Sequence, residues 1–131
     1  MTTFGDAEAA VVDILVAADG LENVNVATNL IGYSTGRWLR VIRTGGIPTM
    51  WMRVDNPVIE VAAYAADKGE ALDLANAARA AILAARGQYV GNGLALYDVV
   101  DNDGLAWSPD EQNPALARYV FALALVTKPR P

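Results

Sequence analysis

Residues 38–86 read WLRVIRTGGIPTMWMRVDNPVIEVAAYAADKGEALDLANAARAAILAAR, and the order of patterns in this stretch decides the fold. Trp38-Leu39-Arg40-Val41-Ile42-Arg43 is rich in β-formers and stops at Thr44-Gly45-Gly46. A second extended run, Val58 to Ala66, follows Asn56-Pro57. The two runs are expected to pair antiparallel. Their connection, residues 47–55, is longer than a tight hairpin turn and carries Met50, Trp51 and Met52. Large apolar side chains on a connection call for a partner surface. Asp67 then stands three residues before Glu70, the spacing of a helix N-terminal cap. The helix it opens runs to about Arg86, with Leu72, Ala75, Ala78, Ile82 and Ala85 on its apolar face. Most of these are small, so a sheet can approach the helix backbone closely. Gly87 marks the stop.

Working outward, Asp6 caps a first helix whose apolar positions Ala7, Ala10, Val11, Ile14, Leu15 and Ala18 recur every three or four residues, with Gly20 just beyond. Val24 to Thr28 alternates weakly, as a short strand does, before a loop through Asn29, Gly32, Ser34 and Gly36. On the other side, Gly91-Asn92-Gly93 introduces the run Leu94 to Val100. Residues 101–114 read as a polar, turn-rich loop. The last strand, Arg118 to Thr127, is apolar at both alternating sets of positions, which predicts a central strand or one covered by helices. The tail Lys128-Pro129-Arg130-Pro131 is not expected to continue it. The sum is an α+β fold: a mostly antiparallel sheet of four to five strands with two main helices packed on one or both faces, residues 1–131 forming one domain.

Composition narrows the function classes. With 53% hydrophobic residues the chain is rich enough to fold, yet no run approaches the ~20 apolar residues of a membrane helix. No membrane partner is expected. The opening Met1-Thr2-Thr3-Phe4-Gly5-Asp6 lacks a signal-peptide pattern, and the chain has no cysteine, so a soluble, cytosolic protein is expected. The net charge of −5 disfavours tight binding to phosphates. Charge is also segregated: Asp6, Glu8, Asp13, Asp19 and Glu22 precede Gly36 with no basic residue among them, Arg37, Arg40, Arg43 and Arg53 follow, and Asp98, Asp101, Asp103, Asp110 and Glu111 come later. Contact between copies, basic segment against acidic segment, is one reading; ordinary solvated charge is the other.

Catalytic chemistry has little to stand on. Without histidine or cysteine there is no histidine-assisted nucleophile and no ordinary structural zinc site. Asp98, Asp101 and Asp103 are spaced like oxygen ligands, but the glycine and closing glutamate of a calcium loop are missing, and a solvated acidic segment is the expectation. Thr44-Gly45-Gly46 and Gly91-Asn92-Gly93 lack the lysine and hydroxyl of a phosphate loop and read as turns. Of the tryptophans, Trp38 is assigned to the core, and Trp51 and Trp107 to interfaces. No cofactor and no metal are expected.

Taken in order, FGDAEAAVVDILVA, WLRVIRTGG, DNPVIEVAAYAADKGEALDLANAARAAIL and NPALARYVFALALV resemble the tail terminator proteins of long-tailed bacteriophages, particularly those of actinobacteria. The resemblance implies a non-enzymatic virion protein, assembled in the host cytoplasm, that forms a ring of six copies on the head-proximal end of the tail tube. Its implied partners are itself, the tail tube protein and a neck or head-completion protein, with DNA passing through the lumen without tight binding. A head-tail connector or neck protein is the alternative within phage assembly, and a small acidic enzyme or ligand-binding domain the alternative from another class. On the ring reading, the interface candidates are Arg37, Arg40, Arg43, Met50, Trp51, Met52, Arg53, Asp101, Asp103, Trp107, Asp110 and Glu111.

Overall fold

The computed structural model describes residues 6–28, 36–47, 54–90, 94–111 and 114–129. Along the chain come α1 (Ala7–Ala17), β1 (Asn25–Ala27), β2 (Trp38–Gly45), β3 (Val58–Ala65), α2 (Lys68–Ala84), β4 (Gln88–Val90), β5 (Leu94–Trp107) and β6 (Ala117–Pro129). The strands form one sheet in the order β1-β2-β3-β6-β5-β4. Among the described residues β1 and β2 run parallel and the other strand pairings are antiparallel. The α+β architecture is therefore the expected one, with a further short strand, β4, immediately after the Gly87 stop.

Both helices begin where the sequence places their caps. Asp6 accepts from the Ala9 N–H at 3.0 Å, and Asp67 accepts from the Glu70 N–H at 2.9 Å. Each cap satisfies one of the backbone donors that a helix start leaves unpaired. In α2 the buried stripe is Ala71, Leu74, Ala75, Ala78 and Ile82. Leu72 lies at the margin of that stripe and is half-buried, while Leu74 takes the central position. Alternation in the strands then sorts the sheet into two faces. Leu39 and Val41 of β2, Ile59, Val61 and Ala63 of β3, and Phe121, Leu123 and Leu125 of β6 share one core with Val11, Leu15, Leu74 and Ile82 of the helices. Both helices thus cover the same face. Burying each such large side chain contributes roughly 1.5–3 kcal/mol, which makes this layer the main source of stability.

The opposite face has a smaller cluster, Ala62, Tyr64 and Leu116 with Trp38 and Val120 against it. Trp38 is accordingly half-buried on this second face, not within the main core. Strand β6 is central, between β3 and β5, as its double-sided apolar pattern predicts, but helices cover only one of its faces. Its end lies beyond the expected limit: Lys128 and Pro129 pair with Ala95 and Leu94. A proline is tolerated there because the strand needs no donor at its last residue.

The largest departure from the sequence reading is in residues 101–114. The stretch as far as Trp107 is strand, and Asp101, Asp103, Ala106 and Trp107 pair with Leu123, Ala122, Val120 and Tyr119. Register shifts between Leu96 and Asp98, Asp101 and Asp103, and Asp103 and Ala106 explain the misreading. Each bulge inserts unpaired residues and breaks the two-residue alternation by which a strand is recognised. Gly46 has φ +94° and lies so close to Asn56 and Pro57 that a Cβ would collide with the Asn56 carbonyl. Only glycine fits where β2 leaves the sheet.

Candidate assembly interface

The basic candidates of the sequence separate once their partners are visible. Arg43 donates from Nη1 and Nη2 to the two carboxylate oxygens of Asp55 at 2.8 and 3.0 Å. Its Nε and Nη2 also reach the Gly45 and Gly46 carbonyls, each at 3.1 Å. Asp55 is only 2% exposed, so its carboxylate is shielded from water, while the Arg43 side chain remains 32% exposed. Glu8 of α1 accepts from the Arg43 backbone N–H at 2.7 Å. Asp55 is held in turn by paired backbone hydrogen bonds to Thr127 of β6, and Asn56 Nδ2 donates to the Ile47 carbonyl at 3.1 Å. The guanidinium of Arg43 is therefore committed to fixing both feet of connection 47–55.

Arg40 stands 4.0 Å from Glu60, an ion pair without hydrogen-bond contact, and its buried Nε has no hydrogen-bond partner among the described residues. Arg37 is exposed and makes no ion pair among the described residues. Met50, Trp51, Met52 and Arg53 lie outside the described residues. At the near foot of their connection, Ile47 is 72% exposed.

The acidic candidates lie along β5 and the segment after it. Arg79 of α2 donates to Asp101 from Nε at 2.9 Å and again from Nη2. These bonds hold the Asp101 carboxyl below the usual carboxylate range. Arg86 faces Asp98 at 3.6 Å. Asp103 is exposed, two residues beyond Asp101 on β5. Trp107, Asp110 and Glu111 are brought together around a cleft of about 480 Å³ at the end of the sheet where β5 finishes and β6 starts. Trp107 is 41% exposed, with the Lys68 ammonium 4.9 Å over its ring and Tyr119 tilted against it at 5.5 Å.

Arg118, which the sequence placed at the start of the last strand but not among the interface candidates, organises that end. Arg118 donates from Nε to the Ser108 carbonyl at 2.6 Å and from Nη2 to the Ser108 hydroxyl at 3.0 Å. It also reaches the Tyr64 hydroxyl at 3.4 Å, and Asp110 lies 4.0 Å away. Tyr64 donates to Asp110 at 3.1 Å. Burial pushes the Tyr64 hydroxyl above its ordinary pKa, so it remains a neutral donor. The result is a braced turn, in which Tyr64 and Arg118 hold residues 108–110 against the sheet. Sequence offered no signal for this pairing, because Tyr64 and Asp110 are 46 residues apart.

Chemically, these groups are suited to recognition. Among the described residues, no group of three or more acidic, histidine or cysteine side chains is placed to hold a metal ion. A larger open groove of about 680 Å³ between α1 and α2 has an alanine floor with Asp13 and Asp19 at its margin. It gathers no nucleophile beside a base.

Residues 3–93 match the family Phage_tail_terminator_2, described as phage tail termination protein. No curated protein matches the chain. Among solved structures, a chain of the virion of a native gene transfer agent particle superimposes with TM-score 0.69 at 14% identity, over 93% of this chain and 94% of that one. That likeness reaches beyond the family match into β5 and β6 and supports the same sheet architecture throughout. The chain belongs to the phage tail termination protein family and is a structural component of a virion tail.

Proposed function

We propose that the protein closes the head-proximal end of the finished tail tube as a homomeric ring of six copies. There it stops the addition of tube subunits and offers a docking face to the neck or head-completion protein. Family membership over residues 3–93 is the observation that carries this reading. The surface is consistent with it: Ile47, Tyr97, Val100 and Trp107 are large apolar side chains left exposed on the isolated chain. Such groups gain by covering one another in an assembly.

The action is steric and interfacial, without catalysis. One surface of the ring complements the last ring of the tube, and the other does not offer a template for a further one. DNA passes through the lumen without tight binding. Internal pairing of Arg43 with Asp55, Arg79 with Asp101 and Arg118 with Asp110 supports this, because each of these described cations already has a carboxylate beside it and is less available to phosphates.

The test is a tube-polymerisation assay with the protein added. Tube subunits that grow without limit alone should stop at a capped end once it is present, with the cap seen by electron microscopy. Continued elongation past bound protein would overturn the terminator role, and binding to neck protein alone would assign the chain to the connector.

A further inference from the structure

The two surfaces set apart by sequence and structure lie at opposite ends of the same strand. The feet of connection 47–55 meet the start of β3, where Gly46 touches Asn56 and Pro57. The Trp107 cleft begins at Ala66 and Asp67, just past the end of β3. β3 runs for 8 residues between them, which is roughly 23 Å at the rise of an extended chain. The connection leaves from Ile47 and returns at Val54, so even fully extended it reaches out only about 12 Å. It is too short to cover the cleft of its own chain.

The chemistries of the two are matched. The cleft has Trp107, Pro109 and Leu116 as apolar walls. Around it stand the carboxylates of Asp67, Asp110 and Glu111 against the cations Lys68 and Arg118, so negative charge is in excess. Glu111 is exposed at that rim. The connection supplies Met50, Trp51 and Met52 followed by Arg53: three large apolar side chains and one cation. The volume of about 480 Å³ falls within the range, roughly 300–1,000 Å³, of clefts that enclose a compact ligand.

We propose that the Trp107 cleft is the acceptor for residues 50–53 of a second copy of this chain, with Arg53 facing Glu111. The contact is heterologous, since donor and acceptor are different surfaces. Repeated around an axis, such contacts close into a ring. The bidentate clamp of Arg43 on Asp55 then has a definite purpose: it presents the donor segment from fixed feet. This inference rests on the ring reading above and specifies how neighbouring copies hold one another.

The chain has no cysteine, so an introduced pair reports on one contact alone. Protein carrying Arg53→Cys is mixed with protein carrying Glu111→Cys, assembled on purified tail tube, and oxidised with diamide. As a control, Arg53→Cys is mixed with Val16→Cys, whose site is exposed on α1. Ring formation is read independently by electron microscopy of the same particles. Assembly raises the effective concentration of thiols that touch, so the Arg53–Glu111 mixture should give at least about tenfold more crosslinked dimer than the control. A ring without that excess overturns the proposed contact and leaves the ring reading standing. Tube ends that carry the protein without any ring overturn the ring reading, and this contact with it.

Discussion

Arg43 shows how a residue's meaning changes between sequence and structure. In the sequence it is one of four clustered arginines and reads as surface charge. In the structure its guanidinium is consumed by Asp55 and two backbone carbonyls. Composition gave no hint of this, because the partner lies 12 residues away across a connection whose path the pattern does not define. Removing the cation leaves a buried carboxylate unpaired, which is far more costly than losing an exposed pair. Arg43→Met should therefore destabilise the chain by about 3 kcal/mol in denaturant unfolding, and adding Asp55→Asn should recover part of that loss. If the single substitution were neutral, the pair would be of the ordinary surface kind.

Elements that keep their alternation over most of their length were legible; a very short strand and a strand interrupted by repeated bulges were not. The caps at Asp6 and Asp67, the β2–β3 pair and the central position of β6 all follow from short-range chemistry or simple alternation. β4 was missed because three residues carry no period, and the far half of β5 because its bulges disrupt one. The contrast between core and connection can be tested directly. Phe121 is 1% exposed in β6, so Phe121→Ala should cost about 3–5 kcal/mol of stability. Trp51→Ala should instead weaken self-association or tube binding while changing thermal melting little. Equal loss of melting temperature in the two would move Trp51 into the core.

Strand β5 also carries a pH signature. Hydrogen bonds from Arg79 lower the Asp101 pKa in the folded chain relative to the unfolded one. The stabilisation is therefore fully present above the unfolded carboxylate value, near pH 4, and is lost as pH falls through the lower folded value. Since both groups are open to solvent, the contribution is small and sensitive to salt. Asp101→Asn should lower thermal stability slightly at pH 7 in low salt. That difference should shrink as pH falls below the unfolded carboxylate value and vanish once the folded carboxyl is protonated as well; its persistence in that acid limit would point to a cause other than the ion pair.

At the scale of the whole molecule, the chain has one well-filled face under two helices and a second face and end that carry exposed aromatics, an open cleft and braced turns. Sequence reading identified the fold class and family, because hydrophobic order and turn chemistry persist along the entire chain. It pointed to Trp107, Asp110 and Glu111 but not to Arg118 and Tyr64, which build the turn beside them. Long-range pairing of this kind leaves no local pattern.

The proposed function requires copies of this chain to form a ring at one end of the tail tube. Native mass spectrometry, with and without purified tail tube, tests it most directly. Six copies should bind per tube, on one end only, whether or not the free protein is monomeric in dilute solution. Tube-bound protein present as single copies, or spread along the tube wall, would contradict it.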